Sequence, residues 1–210
     1  RALAMETIKD VLATEKSLSV RQQALMVLGE IGSAESQQML LDILASASSP
    51  QEGLDSANAL LRQERMQVPF EKVKGLFGAA KDPVLRAVLA EVLAKYDAVL
   101  KNDPALVAEL RREADEGMGS KNPAIRGLSL NLTAMLAQYG ADPAGNLISL
   151  YESMPEKEQV AYPVVFQELS KKNDDPRVRT ILETTLSNET ASQPNRLMAA
   201  DALFASGGEE

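Results

Sequence analysis

The sequence predicts an all-α protein, an α-solenoid of about six stacked helix pairs. Three observations lead there. First, a short phrase recurs, in which a helix-capping residue, often followed by proline, precedes an aliphatic residue and an arginine. It reads Asp82-Pro83-Val84-Leu85-Arg86, Asn122-Pro123-Ala124-Ile125-Arg126 and Asp175-Pro176-Arg177-Val178-Arg179, with a looser copy at Ser17-Leu18-Ser19-Val20-Arg21. Second, the apolar residues behind each copy keep a helical period, and no segment alternates as a half-buried strand does. Third, aromatics make up only 4% of the chain and tryptophan is absent. The core must then be built from Leu, Val, Ile, Ala and Met, which suits many thin helix–helix contacts better than one thick centre.

Taken in order, the first helix spans residues 2–13, with Leu3, Ile8 and Leu12 on one side. The second spans 19–31, its stripe formed by Val20, Ala24, Val27, Leu28 and Ile31, and Gly32 placed to stop it. The third, 34–47, carries Leu40, Ile43 and Leu44 and ends at Ser48-Ser49-Pro50. Further helices follow at 50–63 (Leu54, Ala57, Leu60), 69–80 (Phe70, Val73, Phe77) and 82–96 (Leu85, Leu89, Val92, Leu93, Tyr96). The pattern continues at 104–117 (Leu106, Val107, Leu110, Ala114), 122–139 (Ile125, Leu128, Leu132, Leu136, Tyr139) and 142–154 (Leu147, Leu150, Tyr151). The last three helices are expected at 155–172 (Val160, Val164, Val165, Leu169), 175–187 (Val178, Ile181, Leu182, Leu186) and 193–205 (Leu197, Ala200, Leu203). Asp82, Asp103, Asn122, Asp142 and Asp175 each precede a proline. Their side chains can accept from the free N–H groups of the first turn, and proline at the first helical position sacrifices no hydrogen bond.

Aligning the first helix of each pair shows the repeat. Arg21, Ala24, Leu28 and Gly32 match Arg196, Ala199, Leu203 and Gly207 at the same offsets, with Leu54, Arg86, Arg126 and Ala161 at the equivalent places between. The steps lie in the range of α-solenoid repeats. The stretch from Val20 to Gly32, with Arg21-Gln22-Gln23-Ala24-Leu25 at its head, resembles the HEAT-repeat (armadillo-like) family, especially the short bacterial HEAT repeats also found in phycobilin lyases. The resemblance implies a single HEAT-like solenoid domain over 1–210, expected to be a crop of a longer chain because residue 1 is not methionine. It also implies that Arg21, Arg86, Arg126 and Arg196 bond loop carbonyls or a neighbouring repeat's carboxylate. Leu54 and Ala161 depart from the motif, and the Arg179 copy falls out of phase.

Composition narrows the chemistry. The chain has 210 residues, a net charge of −8, and neither cysteine nor histidine. Disulfides, thiol chemistry, Cys/His metal sites and imidazole acid–base catalysis are therefore excluded. An acidic chain repels phosphate backbones, so nucleic acid is not expected as a partner. No apolar run reaches the length of a membrane span. The compartment is left open: cytoplasmic or, if an upstream signal was removed, periplasmic. Gly117-Met118-Gly119-Ser120-Lys121 lacks the order of a phosphate loop and reads as a connector. Asp174-Asp175 reads as a helix cap, and Glu113 with Glu116 as a solvated face. Asn131-Leu132-Thr133 and Asn188-Glu189-Thr190 match the glycosylation pattern by chance. We expect no catalytic residues, no metal and no cofactor.

The expected function is a non-enzymatic scaffold that binds a protein or peptide on its concave face. Such proteins line that face with the second helix of each pair, which nominates Gln38, Asp42, Lys74, Arg112, Glu116, Glu152 and Glu183. The alternative is an accessory or lyase-type HEAT protein acting on a cofactor or a modified partner. The last helix, with Leu197, Leu203 and Phe204, is too apolar for a free-standing cap and is expected to support self-association.

Overall fold

All five Asx-Pro junctions start helices in the computed structural model, which describes residues 2–47, 49–63, 65–161 and 163–207. The side chain of each capping residue accepts a first-turn N–H: Asp82 from Leu85 at 2.8 Å, Asp103 from Leu106 at 2.9 Å, Asn122 from Ala124 at 2.9 Å, Asp142 from Gly145 at 3.0 Å and Asp175 from Arg177 at 2.9 Å. Each such cap contributes about 1 kcal/mol. Ser33 and Ser49 cap two more helices in the same way. Helix accounts for 79% of the protein and no strand occurs among the described residues, so the all-α class holds.

Contacts divide the chain into two compact units, Arg1–Leu106 and Val107–Glu210. The first contains α1 (Ala2–Thr14), α2 (Leu18–Ile31), α3 (Ala34–Ala45), α4 (Pro50–Leu61), α5 (Phe70–Ala79), α6 (Pro83–Ala94) and a short α7 (Asp97–Leu100). α2 packs on α1, α3 and α4, α4 on α3 and α6, and α5 on α3 and α6. Gly32 ends α2 in the left-handed region at φ 63°, which costs a glycine little. From Ala87 to Ala94 every residue of α6 is buried, Glu91 included.

The second unit takes most of α8 (Pro104–Met118), then α9 (Pro123–Leu136), a 3₁₀ turn (Ala137–Tyr139), α10 (Pro143–Ser153), α11 (Glu156–Ala161), α12 (Pro163–Ser170), α13 (Pro176–Ser187) and α14 (Gln193–Gly207). Its core gathers Leu130, Leu147, Val165, Phe166, Leu169, Val178, Leu182 and Ala199 around α12.

Several boundaries and faces differ from the sequence expectation. The helix expected at 155–172 is described as α11 and α12, on either side of residue 162, which lies outside the described residues. Gln63 and Tyr96 lie outside the helices assigned to them, and α7 was not anticipated. The stripe of α2 is rotated. Ala24, Leu25, Leu28 and Gly29 are buried, whereas Val20 and Val27 are 43% and 40% exposed. The cause is Gly29, whose missing side chain lets Ala59 of α4 approach: a Cβ there would lie 3.2 Å from the Ala59 carbonyl oxygen. Val160 and Leu186, expected to be buried, are exposed. The expected end of α3 at Ser48 lies outside the described residues.

Candidate functional site

Three of the four motif arginines do what the resemblance implied. Arg21 donates to the Leu12 and Glu15 carbonyls and forms an ion pair with the buried Glu52 of α4. Arg86 donates to the Phe77 carbonyl at 3.2 Å, its guanidinium 4.1 Å from the centre of the Phe77 ring. Arg126 donates to the Ser120 carbonyl at 3.4 Å. Arg196 departs from the pattern, its buried Nε having no partner among the described residues. The carboxylate-binding role in the last motif copy falls instead to Arg177, which the sequence did not single out. It grips Asp142 with two bonds of 2.9 and 2.8 Å and also bonds its own cap, Asp175. This guanidinium, with the Gly145 N–H, pulls the Asp142 carboxyl down to about 2 and also lowers Asp175.

The residues nominated for partner binding fall in both units. On α3, Gln38 donates to Asp42 at 2.7 Å and accepts from Lys72 of α5 at 3.1 Å. Lys74 sits 5.7 Å from the centre of the Phe70 ring. Gln38, Asp42 and Lys74 thus belong to the neighbouring helices α3 and α5, and Gln38 and Asp42 are already engaged with each other. Arg112 and Glu116 on α8, Glu152 on α10 and Glu183 on α13 are exposed.

In the second unit a groove of about 640 Å³ lies between α8, the end of α9 with its 3₁₀ turn, and α10. Its floor is apolar, with Ala114, Leu136, Ala137 and Leu150. Its α8 wall carries Arg111 and Asp115, and its α10 wall Asn146, Ser149 and Ser153. Arg112, Glu116 and Glu152 are the immediate chain neighbours of these lining residues. Exposure along a helix does not say which neighbour faces the concavity.

The groove's polar groups are sparsely used. Arg111 makes one bond, to the Leu136 carbonyl at 3.3 Å. Among the described residues, Asp115 and the side chains of Asn146 and Ser149 have no hydrogen-bond or ion-pair partner. Other helical serines and threonines, such as Thr133 in the groove lining and Thr180, Thr184 and Ser187 on α13, return their hydroxyl to a carbonyl one turn back; Ser149 does not. The groove thus combines an apolar floor with unspent donors and acceptors on both walls, a composition that suits binding. No group of three or more carboxylates placed to hold a metal occurs among the described residues, and none of their helices is long and apolar enough to cross a membrane.

Comparison with family models, with curated proteins and with solved structures returned no match.

Proposed function

We propose that this chain is a HEAT-type solenoid scaffold without enzymatic activity and that it binds a segment of a partner protein in the groove between α8 and α10. The observation that carries the repeat reading is a spacing. Side-chain bonds tie residues 31 to 35 positions apart again and again: Arg21 to Glu52, Gln22 to Asp55, Gln63 to Gly29, Lys72 to Gln38, Lys95 to Gln63, and Arg177 to Asp142. Other long-range side-chain bonds, such as Lys9 to Glu35 and Tyr96 to Val68, span 25 to 30 positions, so successive units meet at a recurring interval of varying length, as stacked repeats do. Contacts between alternate helices, α2 with α4, α4 with α6 and α3 with α5, support the same reading. Within such a stack, second helices share a side, and α8 and α10 are second helices that flank the groove.

Scaffold binding needs shape and unspent polar groups rather than a reactive residue, and the groove has both. The test is a photo-crosslinking residue placed at Ser149 in the groove and, as control, at Thr180 on the exposed side of α13. A defined protein adduct from position 149 that a groove-filling Ala137→Trp change abolishes is the expected result. Equal labelling from both positions, or a co-purifying chromophore in place of a protein, overturns the scaffold reading and favours the accessory or lyase-type alternative.

A further inference from the structure

We propose that a small cavity at the start of α14 is a second binding site and that it takes a primary carboxamide, the side-chain group of asparagine and glutamine. It shares no lining residue with the α8–α10 groove and stands independently of it.

The cavity, of about 110 Å³, lies between the end of α10, α11, the end of α13 and the first turn of α14. Asn195 points to it. In earlier copies of the arginine motif the residue before the arginine is aliphatic: Val20, Leu85 and Ile125. In the last copy Asn195 holds that place, before Arg196. Asn195 lines the cavity and is only 5% exposed. Its side-chain amide makes no hydrogen bond among the described residues. A buried amide without a partner has given up its water for nothing in return.

Two further lining groups are unspent. Thr185 is 8% exposed and its hydroxyl makes no bond among the described residues, although Thr180 and Thr184 on the same helix both return theirs to a carbonyl. Gln159 donates from Nε2 to the Tyr151 and Met154 carbonyls at 3.1 and 3.0 Å, which leaves its Oε1 unspent.

This lining selects for charge, size and geometry. None of the described lining residues is charged, so an ion entering would lose its hydration with no counter-charge to replace it. Burial pushes the Tyr151 phenol up, so it adds no negative charge near neutral pH. At roughly 30 Å³ for each water, the volume suits the polar end of a side chain rather than a whole sugar ring. Asn195 offers a donor and an acceptor on one edge. A trans peptide group holds its N–H and C=O on opposite sides and cannot meet both. A carboxamide carries the pair on one edge and bonds Asn195 twice, with a second N–H left for an acceptor of the lining.

The test is an NMR titration of the full, isotope-labelled chain with three probes of similar size: propionamide, propionate and propylene glycol. Propionamide should shift the Asn195 side-chain amide and the Thr185 backbone N–H along one saturating curve. The other two should bind about tenfold more weakly, the scale of one lost hydrogen bond. Asn195→Leu restores the aliphatic residue of the earlier copies and should abolish the Thr185 shift while circular dichroism stays helical. If that variant fails to fold, Thr185→Val takes its place and should weaken propionamide by about threefold to tenfold. Shifts that do not saturate, that leave Asn195 unmoved, or that either other probe matches overturn the proposal. N-acetylglutamine methylamide then separates the sources: tighter binding than propionamide assigns the site to a partner's side chain, and weaker or equal binding to a free small amide. Both results keep the carboxamide.

Discussion

Replacing glycine by alanine inside a helix should have opposite signs at two positions of this protein, and the difference measures how closely successive repeats approach. Gly75 sits in α5 with nothing within 4 Å of where a Cβ would be. Gly75→Ala should therefore express the intrinsic helix preference alone, stabilising by about 1 kcal/mol. Gly29 gains the same preference, but its new Cβ would lie 3.2 Å from both the Cβ and the carbonyl oxygen of Ala59, with the Ala59 Cα at 3.4 Å. Two of those three atoms are backbone, so α2 and α4 must separate by a few tenths of an ångström. Overpacking of this kind costs about 1–3 kcal/mol. The net effect of Gly29→Ala is then a loss of about 0–2 kcal/mol, and the gap between the two variants about 1–3 kcal/mol. Equilibrium urea unfolding followed by far-UV circular dichroism, with the slope compared between variants, reads this directly. If Gly29→Ala stabilises as much as Gly75→Ala, the close α2–α4 contact is wrong, and the explanation of the rotated α2 face falls with it.

Leu28→Ala and Leu132→Ala should each cost about 2–5 kcal/mol, since both side chains are buried at 0% and 2% exposure; exposed Glu152→Ala should change stability by less than about 0.5 kcal/mol, and equal effects would show the buried faces misassigned. The Arg177 clamp predicts an acid dependence: Asp142 titrates lower folded than unfolded, so its contribution is present above its ordinary value of 3.8 and fades as pH falls toward about 2. Arg177→Gln should raise the Asp142 carboxyl in an NMR titration, and an unchanged midpoint would rule out the guanidinium as the cause. Phe204 and Leu197 stand 85% and 58% exposed on one side of α14; light scattering should show weak concentration-dependent association that Phe204→Asp reduces, and scattering that stays flat with concentration would exclude association through this helix.

The helical class and most helix starts were legible in the sequence because they are local. A capping side chain reaches N–H groups within its own first turn, so Asx-Pro is readable without a fold, and all five instances formed. The 3.6-residue period likewise reported the buried positions of α8, where Leu106, Val107, Leu110 and Ala114 are all enclosed. The motif arginines were legible in kind, since a guanidinium in a first turn lies near the preceding loop. What the sequence could not decide depends on which neighbour a helix meets. Periodicity defines a stripe to within a residue or so, and the partner chooses the rest: Gly29 drew α4 to one side and left Val20 and Val27 in solvent. Gln37 and Gln63 look like surface residues, yet both are buried, where Gln37 donates to the Arg65 carbonyl at 2.8 Å and accepts the Gln67 N–H at 2.7 Å, holding the segment after α4 in place. Arg177 and Asp142, 35 residues apart, meet because α10 and α13 pack together. The groove is of the same kind. Its lining comes from α8, from α10 and from the end of α9 with its 3₁₀ turn between them, so only the packing of three elements brings Arg111, Asp115, Asn146 and Ser149 around one space.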